Sequence, residues 1–119
     1  MNPDTEGQDL IITIVPKGSA EKAMRASREA GAEGGTIMYG RGAGVHEKRS
    51  ILGIPIEPEK EILMTIVPRH LTDTVMRSIM TAGRLDTPGA GIIFALELRR
   101  VAGICHLGGS EMGGCGEEG

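Results

Sequence analysis

Aromatic side chains are nearly absent from this chain of 119 residues, which has no Trp, one Tyr and one Phe. Any core must therefore come from Ile, Leu, Val, Met and Ala, and small subunits with such modest burial per residue often gain stability by associating. Also missing is an apolar run near the roughly 20 residues that span a bilayer, so the chain is not expected to be membrane-embedded. No basic stripe with interleaved aromatics accompanies the formal charge of −3, which argues against a nucleic-acid partner. The start, Met1 to Glu6, is acidic where a secretory signal is basic and then apolar, so a cytoplasmic location is expected. Two cysteines, Cys105 and Cys115, are too few for a disulfide framework, although one switchable bond stays open. Catalytic signatures are lacking too: no carboxylate pair beside a His, no Gly-x-Ser-x-Gly and no P-loop ending, so no enzyme is expected.

What the chain does contain is a duplication. Leu10 to Gly31 and Ile62 to Gly83 align without gaps at an offset of 52, with eight identities in 22 positions. Two copies of such a unit indicate a repeated supersecondary element rather than a solenoid. In copy one, Leu10 to Val15 reads as a strand ended by Pro16. Ser19 then frames a helix over about 20–30, with Ala23, Met24, Ser27 and Ala30 inward and Gly31 as stop, and Thr36 to Tyr39 is a second strand. Copy two repeats the plan with a strand over 61–67, Thr72 or Asp73 as N-cap, a helix over about 73–82, Gly83 as stop and a strand over 91–98. Strand, helix and strand written twice give an α+β fold, the ferredoxin-like βαββαβ plait, whose four-stranded antiparallel sheet carries both helices on one face. Its other face, rich in Ile, Val and Met, is left bare and predicts oligomerisation.

Three features could carry chemistry. Gly40-Arg41-Gly42-Ala43-Gly44-Val45-His46 follows the second strand; closely spaced glycines let backbone N–H groups approach an anion, with Arg41, Lys48 and Arg49 adding positive charge. Pro88-Gly89-Ala90-Gly91 enters the last strand. His46, His70, Cys105, His106 and Cys115 include residue types that bind soft or borderline metals, but no Cys-x-x-Cys spacing occurs. The plainer alternatives are a surface loop, a turn and incidental cysteines.

The run Gly31-Ala32-Glu33-Gly34-Gly35-Thr36-Ile37, then Gly42-Ala43-Gly44, a long loop, Thr65-Ile66-Val67-Pro68 and Gly89-Ala90-Gly91-Ile92-Ile93-Phe94 resembles the PII signal-transduction superfamily over about residues 9–104. The resemblance implies a homotrimer that binds an adenine nucleotide in clefts between subunits and controls a partner protein, here a membrane transporter, through a protruding loop over 45–60. By position it assigns Gly42, Gly44, Val45 and His46 to one phosphate-facing segment, Gly89, Ala90 and Gly91 to the other, and Met38 and Ile66 to the adenine pocket. It also implies an N-terminal arm over 1–8 and a Gly-rich, Cys-bearing tail over 105–119.

Departures from the family refine the expectation. Cations that the family places at four positions are replaced by Val45, Ile92, Gly103 and Cys105, so ADP, AMP or cyclic AMP fits better than ATP. The loop contains no Tyr, which excludes uridylylation there. The tail is similar to the redox-sensitive tails of certain PII-like proteins linked to bicarbonate transport. A bond between Cys105 and Cys115 would add about 2–3 kcal/mol to a closed tail. The alternative is a metal-binding or metal-tolerance member of the same trimeric fold, using His46 and the tail Cys and His. A small ferredoxin-like enzyme such as an acylphosphatase is disfavoured, because that class needs an Asn at its catalytic turn and Asn2 is the only one.

Overall fold

A computed structural model describes residues 7–44, 49–56 and 58–103. Six strands and two helices follow in the order β1 (Gln8–Pro16), α1 (Ala20–Glu29), β2 (Thr36–Arg41), β3 (Arg49–Ile51), β4 (Ile54–Ile56), β5 (Glu59–Pro68), α2 (Thr72–Gly83) and β6 (Ile92–Leu98). A short 3-10 turn, Arg69–Leu71, leads from β5 into α2. The main sheet has the order β2-β5-β1-β6 with all pairings antiparallel, while β3 and β4 form a separate two-stranded hairpin. This is the α+β plait that the duplicated units imply.

The near-continuous apolar run of β1 has a simple cause. Ile11, Thr13 and Val15 alternate onto the helix-covered face and are buried, whereas Leu10, Ile12 and Ile14 alternate onto the open face. On the covered side, Ile11, Leu63 and Val67 pack with Ala23 of α1 and Val75 and Ile79 of α2. Alanines at positions 20, 23 and 26 give α1 a low-relief inner face, and Ser78 Oγ donates to the Ala26 carbonyl across the helix pair at 3.0 Å. Met76 packs at the edge of this core, but Met80, which follows Ile79 in α2, is 43% exposed.

Register shows how the copies are related. Ile12 pairs with Met64, its own counterpart 52 positions later, so the internal pseudo-twofold passes through the middle of the β1–β5 ladder. Thr36 and Phe94 lie on that same rung yet are 58 positions apart. Copy two therefore holds six extra residues between its helix and its second strand.

Helix ends differ from the sequence expectation. Ser19 occupies the N-cap position of α1 without a side-chain cap bond; instead Glu61 of β5 accepts the Ala20 N–H at 2.8 Å, placing a carboxylate at the positive end of the helix. Thr72 does not cap α2, because Leu71 is the N-cap residue and the Thr72 hydroxyl donates to Asp9. Helix α2 also runs through Gly83, and Arg84 rather than glycine takes the left-handed turn, at φ 52°. Since that conformation costs an L-residue about 1–2 kcal/mol that glycine avoids, Arg84→Gly is expected to raise stability by about 0.5–1 kcal/mol after the entropy lost to glycine is included. Urea denaturation would check this.

The stretch between β2 and β5 reads as lacking apolar periodicity, but it contains the β3–β4 hairpin, closed by Leu52 and Gly53. Both turn residues have positive φ, 54° and 80°, as a two-residue type I′ turn requires. The expectations for residues 1–6, Val45, His46 and the tail from Ile104 onward fall outside the described residues.

Candidate functional site

On the open face, one rung places Met38 of β2, Ile62 of β5, Ile14 of β1 and Ile92 of β6 side by side. Ile14, Ile62 and Ile92 form the apolar floor of a cavity of about 470 Å³, within the range of roughly 300–1,000 Å³ usual for small-molecule sites. One wall is Gly40 to Gly44 as the chain leaves β2, and another is Gly89 and Gly91 as it enters β6. Two cations, Arg41 and Lys60, join the lining. Lys60 belongs there because it precedes Ile62 by two residues on the same face of β5 and pairs with Gly40, where no side chain competes for space.

The walls are fixed by backbone bonds. Gly42 N–H donates to the Pro58 carbonyl at 3.1 Å, which ties the two legs of the protruding segment at its neck, and Lys17 N–H, just past β1, donates to the Glu59 carbonyl at 3.3 Å, which ties the returning leg to the end of β1. Lys17 Nζ also meets Glu59 Oε1 at 2.9 Å. The bond from the Lys17 ammonium holds the Glu59 carboxyl below its usual range, and the same bond raises Lys17. Any stability from this pair is lost as pH falls through the lowered Glu59 range or rises through the raised Lys17 range. Both side chains are well exposed, so salt screens the pair. The second wall is a chain of turns in which Leu85 N–H donates to the Met80 carbonyl, Thr87 N–H to Arg84 and Ala90 N–H to Thr87, each at 3.0 Å. Gly91, at φ 140°, passes so close to β1 that a Cβ would lie 2.5 Å from the Ile14 carbonyl oxygen.

Such a site suits a ligand with a flat apolar part and an anionic part, the first on the isoleucine floor and the second near Arg41, Lys60 and the glycine walls. The model of a family described as Nitrogen regulatory protein P-II matches residues 8–106, most of the chain. The chain belongs to the P-II family. Among solved structures, the fold is similar to the B. subtilis GlnK–ATP complex, with 18% identity, a TM-score of 0.68, and 90% of this chain and 96% of that one covered. It is also similar to B. subtilis GlnK, with 18% identity, a TM-score of 0.67, and 89% and 98% covered. At that identity the likeness concerns the fold. A search of curated proteins gave no match.

In this P-II family member, Gly42, Gly44, Gly89 and Gly91 of the expected site come together around one cavity. Met38 lies beside Ile62 on the open face, and Ile66 pairs with Leu10 farther along it; neither lines the cavity, nor does Ala90. The Gly42 amide, expected as an anion donor, is taken by Pro58. Val45 and His46 lie outside the described residues. Lys60, Ile14 and Ile62 line the cavity but were not among the expected site residues. A strand taken to begin at Glu61 leaves Lys60 in the loop, whereas β5 begins at Glu59. The period-two alternation of Lys60, Ile62 and Met64 was the available signal. Among the described residues, no three His, Cys, Asp or Glu side chains are grouped to hold a metal ion, and no helix is long and apolar enough to cross a membrane.

Proposed function

We propose that this P-II family regulator binds an adenine nucleotide with a short phosphate group, ADP, AMP or cyclic AMP in preference to ATP, in the glycine-walled cavity. The observation that carries this reading is the convergence of the two glycine segments on one apolar floor beside Arg41 and Lys60. Two lining cations moderate the charge deficit implied by Val45, Ile92, Gly103 and Cys105 without restoring a triphosphate site. The GlnK–ATP complex on a similar fold lends support to nucleotide as the ligand class.

The active form in this reading is a cytoplasmic homotrimer, supported by the open sheet face, where Ile92 is 56%, Phe94 37% and Leu96 48% exposed. A row of large apolar groups at that exposure calls for a cover. The cavity opens on the same face, so a neighbouring subunit would complete a cleft around the ligand. Occupancy would then favour one arrangement of segment 45–60, whose neck includes the cavity-lining Gly42, and so control a partner protein, taken to be a membrane transporter. No catalytic step is assigned.

Titration calorimetry with ATP, ADP, AMP and cyclic AMP, on oxidised and on reduced protein, tests the reading. Binding of at least one of the three shorter-phosphate ligands, tighter than ATP, is expected; flat traces for all four would remove the nucleotide assignment. Lys60→Gln removes one charge-assisted partner, a contact worth about 1.5–3 kcal/mol, and should weaken the best ligand by about tenfold or more.

A further inference from the structure

The hairpin β3–β4 stands apart from the main sheet and ends in a residue that local chemistry does not favour. Leu52 takes φ 54°, a region that bulky side chains rarely occupy, and it is 96% exposed. A type I′ turn prefers Asn-Gly or Asp-Gly, and Gly53 at φ 80° is the expected second residue while Leu52 is not the expected first. Leu52 is thus unfavourable for the turn and gains no burial from its own fold. Such an outlier points to a role outside the fold.

We propose that Leu52 is the anchor of the protruding segment and enters a leucine-sized apolar socket on a protein partner. This rests on the reading of the chain as a regulator acting through segment 45–60. A narrow convex tip bearing one apolar side chain matches a concave site rather than a flat one, and a two-residue turn holds that side chain in a defined direction. A lipid surface is a poorer fit. Segment 45–60 carries three basic and three acidic residues, without the basic excess that attracts anionic headgroups.

Leu52→Asn separates binding from folding, because Asn-Gly is the preferred pair for this turn and the hairpin should form at least as well. A photoreactive leucine analogue at position 52 of the full-length trimer would first identify what the tip touches in the producing cell. The expected result is cross-linking to apolar residues in a concavity of one protein. With that protein purified, Leu52→Met should bind within about threefold of the original and Leu52→Asn at least about tenfold more weakly, the scale expected on losing one buried leucine. The inference is overturned if no protein is cross-linked, if Leu52→Asn binds as the original does, or if the tip reacts with lipid and Leu52→Asn abolishes flotation with phosphatidylcholine–phosphatidylglycerol vesicles. A variant with residues 46–57 replaced by an Asn-Gly turn distinguishes the two failures. If it loses the partner while Leu52→Asn keeps it, only the anchor assignment falls; if it keeps the partner, the protruding-segment reading falls as well.

Discussion

Gly91→Ala is expected to lower stability by about 2–4 kcal/mol and to abolish ligand binding in the cavity, the largest effect of any single methyl group added at the site. Two penalties coincide there. A φ of 140° belongs to the backbone region that glycine alone occupies readily, and the added Cβ would meet the Ile14 carbonyl oxygen at 2.5 Å and Val15 Cγ1 at 3.0 Å. The obstacle is strand backbone, which has no other rotamer. Relief requires the entry to β6 to lift away from β1, and Ile14, Gly91 and Ile92 all line the cavity. Gly89→Ala is the matched control. Its φ of 81° is also positive, but nothing lies within 4 Å of the added atom, so about 1 kcal/mol is expected with an intact floor. Thermal melts and nucleotide titrations of both variants check the contrast. Equal melting points for Gly91→Ala and Gly89→Ala would mean that the close approach to Ile14 does not constrain the site.

The position of Gly91 also explains which parts of the molecule could be read in the sequence. Duplication and alternation were sufficient for the plait, because helix-face and open-face residues of β1 and β5 obey the same period in both copies, and the pairing of Ile12 with Met64 is the duplication expressed as register. Glycine clustering pointed to both cavity walls; on the second, the positive φ of Gly89 and Gly91 and the close backbone approach at Gly91 select glycine directly. Lys60 was not legible. A lysine at the end of a charged loop looks like a solvated residue until the strand is known to start at Glu59, after which its face is fixed. Ser19 holds the N-cap position without a side-chain bond and Thr72 does not cap at all, for a related reason. Each hydroxyl had a suitable local role, but the Ala20 N–H found Glu61 and the Thr72 hydroxyl found Asp9, partners 41 and 63 positions distant in sequence. The β3–β4 hairpin, though not the apolar character of its tip, was hidden by its own rule, because a turn seen as Asn-Gly or Asp-Gly announces a hairpin and Leu-Gly does not.

Asp9→Ala is expected to destabilise the protein by about 2–4 kcal/mol without affecting the cavity, and the reason lies at the opposite end of β1. Asp9 is buried and its two oxygens are divided between partners: Oδ1 accepts from Arg69 Nε at 2.9 Å and Oδ2 from the Thr72 hydroxyl at 2.7 Å. Arg69 also donates through Nη2 to the Gln8 carbonyl at 3.2 Å, and its backbone N–H bonds to Gly7. One carboxylate thus joins the first residues of β1, the turn after β5 and the first residue of α2. Removing one partner of a buried pair costs about 3–5 kcal/mol, but the Arg69 side chain is 39% exposed and water can take over part of its solvation, which lowers the figure. Asp9→Asn keeps an oxygen acceptor and loses the charge, so it should fall between the original and Asp9→Ala. Because Ile14 and the glycine walls lie at the other end of the strand, nucleotide affinity of folded Asp9→Ala should match the original within about threefold. Urea melts and calorimetry on the same samples would separate the two properties. A stability loss below about 1 kcal/mol would show that Arg69 and Thr72 hold this corner without the carboxylate, and a large affinity loss would show that the two ends of β1 are coupled through the sheet.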